Sequence, residues 1–189
     1  VPQAYPLIEI PAIRFEETAC LFENLPEPKE AEEVKPMEDF DQGWGTILYR
    51  TTLPEVKEGT VLLIDEVHDW AQVYADGKLL GRLDRRRSEN SLTLPALKAG
   101  TQLDILVEAM GRVNFDYAIH DRKGITEKVE LLTEESRKEL KGWQVYSFPT
   151  DADFAAQKNF RKGNKAEGPA YYRASFNLKE TGDVFLDMQ

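Results

Sequence analysis

Aromatic side chains are the groups of this sequence with the clearest potential to bind a ligand. A sugar presents apolar C–H faces that stack on tryptophan or tyrosine rings. The candidates are Trp44, Trp70, Tyr74 and Trp143. Packing is the alternative, because large aromatic side chains dominate protein cores and interfaces. In WAQVYA, residues 70–75, strand alternation places Trp70, Gln72 and Tyr74 on one face, where they would meet solvent or a neighbouring domain.

Polar side chains crowd the stretch NFDYAIHDRKGI, residues 114–125, between two strong strand patterns. Asn114, His120 and Asp121 are its candidates for contact with a sugar or with another domain. Loops between strands often carry binding residues. The alternative is a long loop whose Asn and Asp side chains satisfy its own backbone. The sequence leaves both interpretations open.

The residue types needed for metal binding or nucleophilic catalysis are scarce. Zinc sites need three or four clustered ligands, whereas this chain has two histidines and one cysteine. No G-x-S-x-G motif surrounds a serine, and GWG at 43–45 lacks the lysine and helix that follow a phosphate loop. Thirty-four acidic residues allow many carboxylate pairs, but none is marked as a general acid. We expect no catalytic residue, metal or cofactor in this chain.

Charge and composition restrict the classes of partner. The formal net charge is −10, which argues against nucleic-acid binding. We read the single basic cluster, Arg85-Arg86-Arg87, as a solvated loop. No stretch approaches the ~20 apolar residues of a membrane-spanning helix. The lone Cys20 cannot form an internal disulfide, so the sequence leaves the compartment open.

Short apolar runs separated by turn residues predict a mainly β protein. The sequence favours an antiparallel sandwich or jelly roll. Predicted strands are 47–53, 60–65, 70–75, 78–83, 90–94, 101–110 and 125–132. Asp76-Gly77 predicts a type I′ turn between the third and fourth of these strands. Short helices are predicted at 133–141 and 151–160, capped by Thr133 and Asp151.

Proline distribution and strand spacing suggest three segments. Residues 1–36 hold six of the ten prolines and read as a strap, in which 24–36 is a surface connector. Residues 37–139 are predicted to form the first sandwich. Residues 140–189 are predicted to be a linker and the incomplete start of a second, similar sandwich.

A partial internal repeat supports the expectation of a second sandwich. At an offset of 123 residues, ILYRTTLPEVKEGTVLL at 47–63 aligns with AYYRASFNLKETGDVFL at 170–186. The matched positions are Tyr49 and Tyr172, Arg50 and Arg173, Leu53 and Phe176, Gly59 and Gly182, and Val61 and Val184. The second copy stops one hairpin short, which would expose strand edges and an apolar face. We therefore expect the natural sequence to continue beyond Gln189.

Five long contiguous stretches carry a resemblance to a known family: 37–53, 67–85, 103–132, 140–149 and 168–178, including VHDWAQVYADGKLLGRLDR and LKGWQVYSFP. Together they resemble the C-terminal part of bacterial β-galactosidases of glycoside hydrolase family 35. The resemblance implies a catalytic (β/α)₈ barrel, absent here, followed by β-sandwich domains of the galactose-binding-domain-like, jelly-roll type. It also implies a retaining parent enzyme that releases terminal β-linked galactose with two barrel glutamates, and it is compatible with an exported, periplasmic or extracellular parent.

Three functions remain open at this stage. The leading interpretation is a non-catalytic accessory region that buttresses the barrel and shapes the rim of its pocket. Its partners would be the barrel and the remainder of the second sandwich in the same polypeptide. An autonomous galactoside-binding module and a protein-interaction sandwich unrelated to sugars are the alternatives.

Overall fold

The computed structural model describes residues 7–10, 12–149 and 151–185. Residues 1–6 and 11 of the predicted strap and residue 186 of the second repeat copy lie outside these residues. The strands are β1 (Glu17–Cys20), β2 (Lys29–Ala31), β3 (Thr46–Thr52), β4 (Val61–Ile64), β5 (Val67–His68), β6 (Trp70–Ala75), β7 (Lys78–Asp84), β8 (Ser91–Thr93), β9 (Gln102–Glu108), β10 (Gly124–Ile125), β11 (Val129–Leu132), β12 (Arg137–Glu139), β13 (Trp143–Phe148), β14 (Arg161–Lys162) and β15 (Ala170–Arg173). Helix α1 spans Ala152–Ala156, and 3-10 helices span Leu21–Glu23, Met37–Phe40, Arg85–Arg87 and Tyr117–His120. Within the described residues, no helix is long and apolar enough to cross a membrane.

A β-sandwich forms the larger of two compact units, Asn24–Gln157. One sheet has the strand order β2-β13-β3-β9-β6-β7, and the other has the order β12-β11-β4-β8. Both consist of antiparallel pairs. Alternate residues of β9, namely Leu103, Ile105 and Val107, are fully buried and share one core with Leu62 and Ile64 of β4. The predicted mainly β sandwich is confirmed.

Strand β6 follows the predicted alternation. Ala71 and Val73 lie in the core between the sheets, so Trp70, Gln72 and Tyr74 are on the opposite face. Strands β6 and β7 pair through the Asp76-Gly77 turn, whose two residues have φ of 46° and 78°. Positive φ at both positions is what a type I′ turn requires.

One predicted helix is wrong. Residues 137–139 form strand β12 against β11, after a turn in which the Thr133 hydroxyl accepts a hydrogen bond from the Ser136 amide at 3.0 Å. Leu140 is the only large apolar residue of 133–141, so a helix there would have no apolar stripe to bury. Strand pairing instead buries Leu140. The second predicted helix exists but is shorter, and Asp151 caps it through the Phe154 amide.

The sandwich unit is wider than the predicted range 37–139. Strand β2 lies inside the predicted connector and β13 inside the predicted linker, and both belong to the six-stranded sheet. Strand β13 pairs with β3 from Thr46 to Arg50, a central position in the sheet. The sequence pattern of β13 resembles that of any strand, and nothing local shows which sheet it joins.

The smaller unit comprises Val1–Glu23 and Lys158–Gln189. Its described residues contain a three-stranded antiparallel sheet of order β14-β1-β15. Leu7 forms an isolated parallel bridge with Asp183. The strand predicted by the repeat at 170–173 is therefore present.

Candidate functional site: an apolar loop on a charged base

An exposed apolar loop connects β9 to β10 where β3 begins. We define the apolar loop as residues 110–119, with Trp44 beside it. Its exposed large side chains are Met110, Val113, Phe115, Tyr117 and Ile119. Phe115 and Tyr117 are 81% and 89% exposed, and Trp44 is 62% exposed. Exposed aromatic side chains so close together in sequence are typical of an interaction surface.

The first end of the loop is fixed to two neighbouring segments. The Met110 amide donates to Asp69 Oδ2 at 3.0 Å. The Arg112 guanidinium donates from Nε to the Gly43 carbonyl at 2.9 Å and lies 2.6 Å from Glu38 Oε1. Because Gly43 directly precedes Trp44, Arg112 ties the loop to the backbone that carries this ring.

The second end of the loop is held by what we call the ionic cluster: Asp69, Arg85, Asp121 and Lys123. Lys123 Nζ donates to Asp69 Oδ2 at 2.8 Å and to Asp121 Oδ2 at 2.9 Å. Arg85 donates to both Asp121 oxygens at 2.8 Å and to Asp69 Oδ1 at 3.0 Å. Only 4% of the Lys123 side chain is exposed. Two cations and two carboxylates therefore compensate each other where solvent screens little.

These contacts shift the pKa values of the cluster. The hydrogen bond from Arg85 holds the pKa of Asp121 far below its usual value, and Lys123 lowers it further. Burial alone would raise the pKa of Asp69, but hydrogen bonds from Lys123, Arg85 and the Met110 amide outweigh it, so the net shift is downward. The hydrogen bond to Asp121 raises the pKa of Arg85. These shifts favour the charged forms of Asp69, Asp121 and Arg85.

His68 joins the cluster to two further groups. Its Nδ1 lies 2.6 Å from the Arg122 carbonyl oxygen and 3.3 Å from Asp121 Oδ1. Its Nε2 lies 2.9 Å from Glu66 Oε2. The buried imidazole therefore fixes the backbone immediately before Lys123.

Tyr49 fixes the same segment from the core side. Its hydroxyl donates to the Lys35 carbonyl at 2.7 Å and accepts from the Ile125 amide at 3.2 Å. Burial raises the pKa of this phenol. Gly124 has φ of +89°, and a Cβ built on it would lie 2.3 Å from the Tyr49 hydroxyl. Glycine is required at 124 both by backbone conformation and by the approach of Tyr49.

The seven residues proposed from sequence occupy different environments. Asn114 and His120 are exposed in or next to the apolar loop, Trp44 is exposed beside it, and Asp121 is in the ionic cluster. The structure brings these residues to one region. The remaining three lie elsewhere: Trp70 is half-buried on β6, Tyr74 is buried, and Trp143 is fully buried.

The prediction that Trp143 lies on a surface is wrong, because its side chain is fully buried. It packs edge to face on Tyr49 with ring centroids 6.5 Å apart, and its indole nitrogen donates to the Leu140 carbonyl at 3.0 Å. The prediction that the Tyr74 ring is exposed is also wrong, since only 2% of the residue is accessible and its hydroxyl donates to Gln72 at 2.9 Å. The sequence alone could not separate one aromatic strand face from another.

The ionic cluster was largely missed by sequence reasoning. The basic run 85–87 was read as a solvated loop, but Arg85 binds two carboxylates of the cluster and Arg86 pairs with Asp84 at 2.7 Å. The sequence signal that could have indicated the cluster was the presence of acidic residues on both sides of this run, at 69, 84 and 121. Their meeting depends on β6–β7 pairing and on the return of the chain at β10. Among the described residues, no group of three or more His, Cys, Asp or Glu side chains could hold a metal ion.

The sheets, loop and ionic cluster define an all-β sandwich domain that carries an exposed apolar loop. Residues 35–149 match the family described as "Beta-galactosidase, first all-beta domain". The chain belongs to this family.

Curated relatives extend the match over most of the chain. A β-galactosidase of Xanthomonas manihotis is 34% identical over 181 residues, which cover 95% of this chain and 29% of that protein. The β-galactosidases of Bos taurus and Homo sapiens are 39% and 34% identical over 64% and 72% of the chain. The chain thus spans less than a third of the length of these relatives.

A solved structure, a GH2 β-galacturonidase from Eisenbergiella tayi bound to glycerol, covers 65% of the chain with a TM-score of 0.39 and 17% identity. A similarity at this level carries no argument about the function of the chain.

Proposed function

We propose that the chain is the accessory, non-catalytic β-sandwich region of a retaining β-galactosidase that hydrolyses terminal β-linked galactose. In this proposal the apolar loop packs against the catalytic barrel, and its outermost side chains form part of the rim of the substrate pocket. The single observation that carries the proposal is an exposed apolar loop whose two ends are fixed by buried charges.

Rigid ends make such a loop suited to docking. Ordering a loop on binding costs conformational entropy, so a loop already fixed at Met110 and Asp121 keeps more of its interaction energy. Each large side chain that becomes fully buried contributes about 1.5–3 kcal/mol. Phe115 and Tyr117 have the most surface to bury. An intramolecular catalytic domain is the occupant to which the family match and the length of the relatives point.

The test is made in the polypeptide encoded by the complete reading frame. Phe115→Ser combined with Tyr117→Ser should lower the melting temperature of the catalytic domain and raise KM for an aryl β-galactoside. The matched control is Leu79→Ser, a partly exposed apolar residue on the β6–β7 hairpin, which should change neither. Equal behaviour of the loop variant and the control would contradict docking.

The non-catalytic assignment has its own test. The 189-residue chain, purified free of host enzyme, should not hydrolyse an aryl β-galactoside. Turnover above background would overturn this part of the proposal.

Galactoside binding by the apolar loop is the second candidate, favoured by the exposed rings of Trp44, Phe115 and Tyr117. Calorimetric titration of the chain with galactose and galacto-oligosaccharides separates it from docking. Binding at millimolar concentration or tighter that is lost in Trp44→Ala would support this candidate, and absence of heat would leave docking as the role of the loop.

A further inference from the structure

Glu38 contacts both ends of the apolar loop with one carboxylate. At the first end, its Oε1 lies 2.6 Å from Nη2 of Arg112. At the second end, the backbone amide of Lys123 donates to both carboxylate oxygens, at 3.0 and 3.2 Å. The guanidinium of Arg122 lies 3.6 Å from Oε2. Arg112 and Lys123, at opposite ends of the loop, therefore share one anion.

The short 3-10 helix Met37–Phe40 places Glu38 between the two ends. Residues three apart lie on the same face of a 3-10 helix, and Met37 and Phe40 are both buried. Phe40 packs edge to face on Tyr49, with ring centroids 6.5 Å apart. The Met37 amide donates to the Lys123 carbonyl at 2.8 Å. The helix is thus fixed to the core, so the fold sets the position of the Glu38 carboxylate.

Asp69 makes a similar link from within the ionic cluster. Its Oδ2 accepts from the Met110 amide and from Lys123 Nζ, which is almost fully buried. Glu38 holds the backbone of Lys123 instead, and 25% of its side chain is exposed. Because water can replace the oxygens of a partly exposed carboxylate, loss of Glu38 should release the loop at a smaller cost to folding than loss of Asp69.

We propose that Glu38 is the positioning residue of the apolar loop and acts on the docking partner only through Phe115 and Tyr117. By drawing Arg112 and the Lys123 amide to one carboxylate, Glu38 fixes the separation of the two ends and hence the direction in which the rings are presented. The partner is the catalytic domain of the same polypeptide, so this part of the inference rests on the proposed function.

Hydrogen exchange in the 189-residue chain tests the link without a partner. In Glu38→Ala the Lys123 amide should exchange at least about tenfold faster, because its charged acceptor is gone. Glu38→Gln keeps an oxygen that can accept from this amide, so exchange should be less than about fivefold faster. The Nε–H of Arg112 should exchange about two- to fivefold faster in both variants, since neither keeps the negative charge.

Glu33→Ala is the matched control. It also removes a glutamate from an ion pair, with Lys141 at 2.7 Å, and it should change the exchange of neither the Lys123 amide nor the Arg112 Nε–H. Because glutamine matches glutamate in size, Glu38→Gln remains informative even where Glu38→Ala lowers the stability of the domain.

Kinetics of the polypeptide encoded by the complete reading frame test whether Glu38 acts through the rings. Glu38→Ala should raise KM for an aryl β-galactoside more than it lowers kcat, because the loop holds no reacting group, and Glu38→Gln should raise KM less. In the ring variant, Phe115→Ser with Tyr117→Ser, adding Glu38→Ala should change KM by less than about twofold, because the side chains that it positions are gone. Glu33→Ala should leave both kinetic constants unchanged.

Two results would overturn the proposal. One is a Lys123 amide that is equally protected in Glu38→Ala and in the unmodified chain, since the loop is then held without Glu38. The other is an effect of Glu38→Ala on KM that is absent while the ring variant raises KM, or that is as large in the ring variant as in the unmodified polypeptide. If the ring variant itself leaves KM unchanged, loop docking fails, whereas exchange in the 189-residue chain still decides whether Glu38 holds the loop. The two failures are therefore distinguishable.

Discussion

Replacing Lys123 by methionine tests whether the ionic cluster fixes the apolar loop. Methionine has a similar length but no charge, so Asp69 and Asp121 would each lose one charge-assisted hydrogen bond. Each such bond contributes about 1.5–3 kcal/mol, and removing one partner of a buried ion pair costs about 3–5 kcal/mol. Arg85 still binds both acids, which places the expected loss near the lower end, at about 3 kcal/mol. For a chain of this size that lowers the melting temperature by about 6–12 °C.

The matched control is Lys141→Met. Lys141 also forms a 2.7 Å ion pair, with Glu33, but 44% of its side chain is exposed. Exposed pairs contribute less than about 1 kcal/mol because water and salt screen them. Urea denaturation of the chain and both variants measures the difference, and hydrogen exchange at Met110 reports on the loop, since its amide binds Asp69.

A double-mutant cycle identifies the source of the loss. Asp69→Asn in the Lys123→Met background removes a carboxylate that has lost one partner, so the two changes together should cost less than their sum by about 1–3 kcal/mol. The reasoning fails if Lys123→Met costs no more than Lys141→Met, or if the two substitutions are additive.

The remaining predictions concern Gly124, Tyr49 and Asp121, which hold the segment at the second end of the loop. Gly124→Ala should destabilise the chain by about 2–4 kcal/mol, through backbone strain and overlap with the Tyr49 hydroxyl. Gly100→Ala, at φ of +91° with nothing within 4 Å of the added Cβ, should cost only about 1–2 kcal/mol; equal losses in urea denaturation would exclude a steric contribution. Tyr49→Phe should cost about 1–3 kcal/mol because it leaves a carbonyl and an amide unpaired, whereas Tyr172→Phe in the second repeat copy should be nearly neutral; similar unfolding midpoints for both variants would count against the role of the hydroxyl. The pKa of Asp121 is lowered on folding, so its stabilisation is complete above its unfolded pKa, about 3.9, and is lost as the pH falls further. Unfolding free energy measured from pH 7 to 2 should therefore decline below about pH 4, and less steeply in Asp121→Asn; parallel curves would show that this carboxylate does not control acid stability.

Seven of the ten sandwich strands were predictable from sequence because each carries its own signal, whereas β2, β12 and β13 were not predicted. Strand β6 was placed at its observed bounds, since alternation and the Asp-Gly turn both act over a few residues. Strand β13 was not assigned to the sandwich, because its partner β3 lies almost one hundred residues earlier in the chain. Sheet order is decided by contacts between distant segments, and a single sequence records none of these contacts.

The candidate site was predictable only in part, because its loop has a local sequence signal but the partners of its charged residues lie far away in the sequence. The loop at 114–123 was recognisable from its polar residues, but the structure shows that its large apolar residues are exposed as well. Asp121, predicted to contact a sugar or a domain, is paired within the chain with Arg85 and Lys123. In a segment that mixes polar and apolar residues, polar side chains can fix the loop while apolar side chains form its surface. Which polar side chains fix the loop depends on where their oppositely charged partners lie in the fold.

In the proposed docking, the residues that stabilise this loop differ from the residues that contact the partner. Charged side chains at both ends are compensated inside the domain, so they add little net attraction for a partner, while Phe115 and Tyr117 are exposed on a loop whose two ends are already fixed. Substitutions in the ionic cluster should therefore weaken docking and folding together, whereas substitutions at the two rings should weaken docking alone. A variant that loses docking while the free chain keeps its unfolding free energy would locate the interaction at the rings, and this separation is possible because anchors and contact surface are different residues.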